Sequence, residues 1–368
     1  MTITFFSNYL NHHQLPLCQE FIRNIGIENF RFVACDRIGN ERIQMGYEDM
    51  NVKYPFVLRS YESDAYRQEA LKLAETSDVA IIGNADSIFT QIRAKENKLT
   101  FLFRERIFKN GSLHRFFPTT AWKIYKGYLR FRNKNVFILC ASAYAADDFS
   151  LCGFPRHKCL KWGYFPEFKE CINTAKGSNK LKLMWCGRML WWKHPEHAVE
   201  IARMLKEQAI DFEMRIIGNG EMKPKVNSLI EKYNLSSHIS MFDFMSPDEI
   251  RRNMLESNIY LFTSGREEGW GVVLNEAMNS QCAIIANVNA GSTPYLMKNG
   301  ETGYIYDGSM ESLKNAVEQI IHSDSKLMGF KAYNQIKNNW SSVGAVRNLL
   351  AFINNPIAVA GDLPSNQA

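Results

Sequence analysis

Two glutamates eight positions apart, Glu268 and Glu276, bracket the stretch Gly269-Trp270-Gly271, which follows the apolar run NIYLFTS. In one continuous helix these carboxylates would stand roughly 12 Å apart along the axis. The glycines instead permit a loop whose backbone N–H groups can approach a ligand. A helix starting just after them offers its N-terminus to an anion. One carboxylate before that anion site and one beyond it can hold hydroxyl groups on both sides of a diphosphate. The alternative is an amphipathic surface helix with two solvated acids. Eighty residues before Glu268, the run LKLMWC ends in Gly187 and Arg188, with Lys193 five residues on. Two cations at the end of a strand suit the same diphosphate, Arg as a fork and Lys as a point charge. Surface Arg and Lys are common, so their position relative to Glu268 carries the argument.

These residues need elements to hold them. ITFFS, NFRFVAC, DVAIIG, LTFLF and VFILCAS read as strands in the first half, separated by helical stretches such as LCQEFIRNI and Ser63 to Thr76. LKLMWCG, FEMRIIG, HISMF, NIYLFTS and CAIIANV repeat the rhythm in the second half. A helix after Ser309 spaces Leu313, Ala316, Val317, Ile320 and Ile321 on one face. Continuous apolar runs alternating with helices predict α/β architecture, with parallel sheets covered on both faces and right-handed crossovers. Ligands of such sheets bind beyond the carboxyl ends of the strands. The run Ile216-Ile217-Gly218-Asn219-Gly220-Glu221 lacks the third glycine of a dinucleotide fingerprint. The expected division is a first domain over 1–163, a hinge or crossover over 164–180, a second domain over 181–353 and a flexible tail over 354–368. The last helix can pack back on the first domain.

The segment from Glu268 to Ala277, E-G-W-G-V-V-L-N-E-A, resembles the donor motif of the large retaining GT-B glycosyltransferase family, family 4. The resemblance implies two Rossmann-like doubly wound parallel-sheet domains facing a central cleft. It implies that Glu268 contacts a donor sugar, that Glu276 holds ribose hydroxyls, and that Gly187, Arg188 and Lys193 stabilise the leaving nucleotide. Gly218, Gly220, Gly269, Trp270, Gly271 and Phe244 complete the implied donor-binding set. Asp243 stands where relatives commonly carry glycine. Ala290-Gly291-Ser292-Thr293-Pro294 and Asn299-Gly300-Glu301-Thr302-Gly303 occupy the family's usual glycine positions. The implied reaction moves a sugar from an NDP-sugar, a UDP-sugar first, to a hydroxyl of a growing glycan, free or lipid-linked, in polysaccharide biosynthesis. The resemblance also implies that the acceptor attacks the face that the nucleotide leaves. The likeness covers nearly the whole chain and is sharpest from Leu181 to Asp307.

The first half departs from the family. Asn8 to Gln14 stands where relatives have a glycine-rich first loop, and either faces the cleft or caps the first helix. Arg104-Glu105-Arg106 stands where many relatives show a histidine. Glu105 either orients an acceptor hydroxyl or forms a salt bridge with Arg104 or Arg106, and His114 is a second candidate. With the residues the resemblance implies, the expected catalytic set is Glu268, Arg188, Lys193 and Glu105. No cofactor and no metal are expected. Two rival readings stay open: a sugar-nucleotide epimerase or hydrolase, and a non-catalytic sugar-nucleotide or membrane-binding module.

At 368 residues the chain fits two domains. It has no run of eighteen apolar residues, so no membrane-spanning helix is expected. Its N-terminus reads as a strand rather than a signal peptide. Eight scattered cysteines without a CxxC pair argue against zinc and for reduced, mostly buried thiols in a cytoplasmic protein. The net charge of +6 is uneven. Twelve cations lie from Arg93 to Lys134 against Glu96 and Glu105, interleaved with nine aromatics. This segment is expected to hold the first domain to an anionic membrane surface, peripherally on its inner face. A solvated face over core aromatics is the alternative. Nucleic acid is not expected, since no nucleic-acid motif accompanies the patch.

Overall fold

A computed structural model describes residues 1–40, 43, 48–171 and 180–355. The expected hinge residues 172–179 and tail residues 356–368 lie outside them. The chain forms two compact units, Met1–Glu167 with Trp340–Ala368, and Phe168–Asn339.

In the first unit seven strands form one parallel sheet: β1 (Ile3–Ser7), β2 (Phe30–Ala34), β3 (Val57–Arg59), β4 (Val79–Ile82), β5 (Thr100–Arg104), β6 (Val136–Cys140) and β7 (Cys159–Lys161). Their order is β3-β2-β1-β4-β5-β6-β7. The second unit has β8 (Leu181–Cys186), β9 (Phe212–Ile217), β10 (Ile239–Phe242), β11 (Ile259–Phe262), β12 (Ala283–Asn287) and β13 (Gly303–Tyr306), in the order β10-β9-β8-β11-β12-β13. Each sheet is doubly wound. The strand order reverses between β1 and β4 in one unit and between β8 and β11 in the other, and each reversal opens a crevice beyond the strand ends.

Local chemistry explains the elements. The central strands are wholly buried and bear apolar side chains on both faces, as sheets covered by helices on both sides require. Helix starts carry the residues that satisfy orphan N–H groups. Ser63 accepts from the Tyr66 amide, Asp86 accepts from the Ile88 amide, and Ser246 with Glu249 forms a reciprocal capping box. Leu313, Ala316, Val317 and Ile320 are buried on the helix Met310–Ile321, packed with Ala198, Ile201 and Leu205 of the helix Pro195–Glu207. The helix Ser342–Asn354 follows the second unit in sequence but packs in the first. Its Phe352 meets Phe101 and Phe137 edge-on, with ring centroids 6.0 and 5.2 Å away.

Part of the basic segment is internal, which corrects its expected role as one membrane-facing surface. Arg93 is fully buried. Its guanidinium donates to Thr100 Oγ1 and to the carbonyls of Ala74, Ser77, Asp78 and Leu99, stitching strand ends to helix ends. Arg104 donates to the carbonyls of Ile82, Gly83 and Phe103. Arg106 is buried beside Asp148, 3.8 Å away, with its guanidinium over the Tyr144 ring. Phe101, Phe108 and Phe131 are core. Among the described residues no helix is long and apolar enough to cross a membrane.

Candidate functional site

The loops after β8 and β11 flank the strand-order reversal of the second unit, and Arg188, Lys193 and Glu268 sit on them. After β8 the chain runs through Gly187 and Arg188 into a single 3-10 turn, Trp191–Lys193. After β11 it runs through Ser264 to the Glu268 loop. Lys193 and Glu268 close on one another as an ion pair, with side chains 15% and 18% exposed. Arg188 is exposed, and among the described residues no ion pair engages it. The reversal thus presents a carboxylate, an ammonium already paired to it, and an exposed guanidinium, a set suited to a polyhydroxyl group joined to phosphates.

The Lys193 loop is rigid for reasons that lie outside the motif. The Lys193 carbonyl accepts from Thr263 Oγ1 at 2.6 Å, and Thr263 Oγ1 in turn accepts from the buried Trp185 indole at 2.8 Å. The Gly265 amide donates to the Trp192 carbonyl at 2.6 Å, tying the two loops together. His194 turns the chain with a left-handed φ of +45°, and its ring stacks on His197 at 4.9 Å. His197 hydrogen-bonds Tyr306 at 3.0 Å, and burial pushes it down to about 4, so it is a neutral prop. Trp185, Thr263, His194 and His197 are positioning residues that the sequence reading missed. A pair of cations advertises itself by type, whereas these act through packing partners distant in sequence.

Gly218 and Gly220 hold the neighbouring loop against this one. Gly218 has φ +142°, and a Cβ there would lie 1.9 Å from the Gly187 carbonyl oxygen. At Gly220, φ +152°, a Cβ would meet the Met189 carbonyl oxygen at 2.6 Å. The two loops interlock instead, the Met189 amide donating to Asn219 and the Met222 amide to Met189. These glycines place Arg188 by allowing backbones to touch. Asp243, the departure from the family's glycine, pairs with Lys223 and accepts from the Asn219 side-chain Nδ2 at 3.0 Å. It fastens the loop after β10, on which Phe244 stands 56% exposed.

The Glu268 loop is held from beneath. Gly271 takes φ +84°, where a Cβ would strike the Phe262 ring at 2.4 Å. Trp270 is buried rather than open to a ligand. Its indole donates to Asn275 at 2.9 Å and its carbonyl accepts from Ser292 at 2.5 Å. Its side chain therefore supports the loop, and any donor contact falls to its backbone. The Gly291 amide donates to the Glu268 carbonyl at 3.0 Å, which brings Ala290–Pro294 against the loop. Gly269 is buried within it. Glu276 stands in the first turn of the helix Val273–Asn279. Burial pushes its carboxyl up to about 7, opposed by the Arg251 and Lys169 charges.

Glu105 belongs to the first unit. Its carboxylate pairs with Lys109 at 2.8 Å and accepts from the Tyr164 hydroxyl at 3.2 Å. The expected alternatives, Arg104 and Arg106, are committed to carbonyls and to Asp148. His114 is exposed beside Phe117. In the Asn8–Gln14 segment, Asn11 Oδ1 accepts from the amides of His13 and Gln14 and so leads into the helix Leu15–Ile25.

Comparison with known proteins points the same way. The chain is 30% identical over 130 residues to a protein named for colanic acid biosynthesis, the glycosyltransferase WcaL of Salmonella typhimurium, covering 34% of this chain and 32% of that protein. It is 28% identical over 188 residues to the amylovoran biosynthesis glycosyltransferase AmsK of Erwinia amylovora, covering 49% of this chain and 46% of that one. The matched stretches thus span less than half of the length of each of these relatives. Among solved structures, Anabaena HepE in complex with UDP superposes with a TM-score of 0.73 at 13% identity, over 97% of this chain and 100% of that one. That likeness is one of fold, and the two doubly wound units are those of a GT-B protein. Residues 169–339 match the family described as glycosyl transferases group 1.

Proposed function

We propose that the protein is a retaining glycosyltransferase of family 4 that moves a sugar from an NDP-sugar, a UDP-sugar first, to a hydroxyl of a growing, lipid-linked glycan in polysaccharide biosynthesis. It would work in the cytoplasm at the inner face of a membrane. The observation that carries this is the meeting of Lys193 and Glu268 at the strand-order reversal, beside the exposed Arg188. In this reading Glu268 holds sugar hydroxyls and Glu276 the ribose. The bond between C1 and the diphosphate oxygen breaks with its electron pair going to the phosphate. Arg188 and Lys193 stabilise that charge without reorganising. The acceptor oxygen forms the new bond on the face the nucleotide leaves, and its proton goes to the departing phosphate. Phe244 and the Gly218–Gly220 loop lie to the base side. Glu105, with Tyr164 and Lys109, orients the acceptor hydroxyl. The names of WcaL and AmsK support polysaccharide biosynthesis, and the UDP complex of HepE supports a uridine donor.

The test is a panel of sugar nucleotides assayed for released nucleotide, with and without glycan acceptors. Acceptor-dependent release from one donor, with the anomeric configuration kept in the product, supports the reading. Acceptor-independent release would make the protein a hydrolase, and no release from any donor would make it a binding module. Because two cations already serve the diphosphate, the reaction is metal-free in this proposal. Turnover should survive EDTA, and an enzyme silenced by EDTA and restored by magnesium or manganese would contradict it.

A further inference from the structure

Between Glu105 and Asp147 the chain carries eight cations and no acidic residue. Arg106 is turned inward, which leaves seven. In the middle lies the helix Pro118–Gly127, which buries Ile124 alone. A ten-residue helix is marginal in water unless an apolar face is packed, and this one turns its apolar face outward. Trp122 and Tyr125 stand one turn apart on that face, exposed, with rings stacked 5.8 Å apart. The Lys126 ammonium lies 5.4 Å from the centre of the Trp122 ring. The preceding turn, Ser112–Phe116, buries nothing. It shows Leu113 at 75% and Phe116 at 68% exposure, with the Arg115 guanidinium over the Phe116 ring. Lys123, Arg132 and Lys134 are exposed around this cluster. Among the described residues no carboxylate pairs with Lys123, Lys126 or Arg132.

We propose that residues 112–134 form an interfacial anchor that docks on an anionic lipid bilayer. Leu113, Phe116 and Trp122 enter the boundary between headgroups and acyl chains, while Lys123, Lys126 and Arg132 lie on lipid phosphates. Charge and shape choose the occupant. A second copy would bring seven cations against the same seven. A nucleic acid would stack on the rings but gain nothing from Leu113, which has no flat face and profits only from leaving water. A bilayer satisfies both halves of the surface. The anchor rests on the proposed reaction only in that the acceptor there is lipid-linked; the surface itself is independent of the donor site.

The full chain is floated with vesicles of phosphatidylcholine containing phosphatidylglycerol, and with phosphatidylcholine alone. Binding should favour the anionic vesicles at low salt and fall as salt rises. Lys123→Gln, Lys126→Gln and Arg132→Gln together should lower anionic binding on the order of tenfold or more. Leu113→Ser with Trp122→Ser should reduce binding to both vesicles, and calorimetry should show nucleotide binding unchanged in both variants. A chain that ignores anionic vesicles, binds neutral ones equally, or binds as well after these substitutions overturns the anchor. So does a surface whose substitutions abolish self-association or oligonucleotide binding and leave flotation intact. A chain that floats as expected but releases no nucleotide from any donor keeps the anchor and loses the proposed reaction.

Discussion

Lys193 has one ammonium and two claimants, the Glu268 carboxylate it holds and the diphosphate assigned to it. Donor binding must then rearrange an existing ion pair rather than fill an idle charge. Glu268→Gln keeps the side-chain size and removes the competitor. Sugar transfer should fall on the order of ten- to a hundredfold, through loss of a charged hydrogen-bond acceptor. Free nucleotide diphosphate should bind as well as before or better. Equal losses in calorimetric affinity and in turnover would refute this division of labour. Glu276 makes a second prediction, through its carboxyl raised from 4.5 to about 7 by burial. Between those values the folded chain holds a proton that the unfolded chain has released. The contribution of this group to stability therefore falls as pH rises through that window. Glu276→Gln should raise the melting temperature at pH 8 more than at pH 5 while weakening nucleotide binding. A ribose hydroxyl is accepted by the ionised form, so wild-type affinity should decline below about pH 7, with proton release on binding. Calorimetry in buffers of different ionisation enthalpy measures that release, and a pH-independent affinity would remove Glu276 from the ribose.

At the scale of elements, legibility in the sequence followed length and covalent adjacency. β1, β2, β4, β5 and β6, and β8 to β12, announced themselves because strands of a covered parallel sheet are largely apolar runs, and even the edge strand β10, with Ile239 alone buried, keeps Met241 and Phe242 in its run. β3 and β7 have three residues each, too few to show a period, and β13 is a four-residue run beginning at a glycine. The charged residues of the donor loop were readable because loop and helix are contiguous in sequence. That Trp270 faces inward was not, since the cause is Asn275 one turn along the helix and the Ser292 hydroxyl beneath. Arg93 was misread for a similar reason. Its four carbonyl partners come from a helix end and two strand starts, and carbonyls leave no mark on a sequence. Arg93→Met should therefore unfold the chain more easily, by about 3 kcal/mol or more, because buried carbonyls lose their donor. Flotation on anionic vesicles should be unchanged in the folded fraction. A variant as stable as wild type in urea but poorer at binding vesicles would return Arg93 to the surface role.

For the whole molecule, the first unit is built from two separated stretches of chain. Trp340 stacks on Phe165 at 5.6 Å and donates to the Tyr164 carbonyl, and the helix that follows lays Phe352 against Phe101 and Phe137. Truncation after Asn339 should uncover those rings. The expected result is a broadened, lower-temperature melt and aggregation on heating, whereas an unchanged scanning-calorimetry trace would show that the closing helix is dispensable. The same split sets an order of events during synthesis. At roughly 5–20 residues per second, a ribosome takes on the order of 10–35 s to travel from the end of the first stretch to the start of the second. Through that interval the nascent β5 and β6 wait with Phe101 and Phe137 uncovered, while the whole of the other unit is made and can fold behind them. A chaperone that shields aromatic surface has its moment there, and codons that hasten or slow the passage from Phe168 to Asn339 would change the yield of folded protein without altering a single residue.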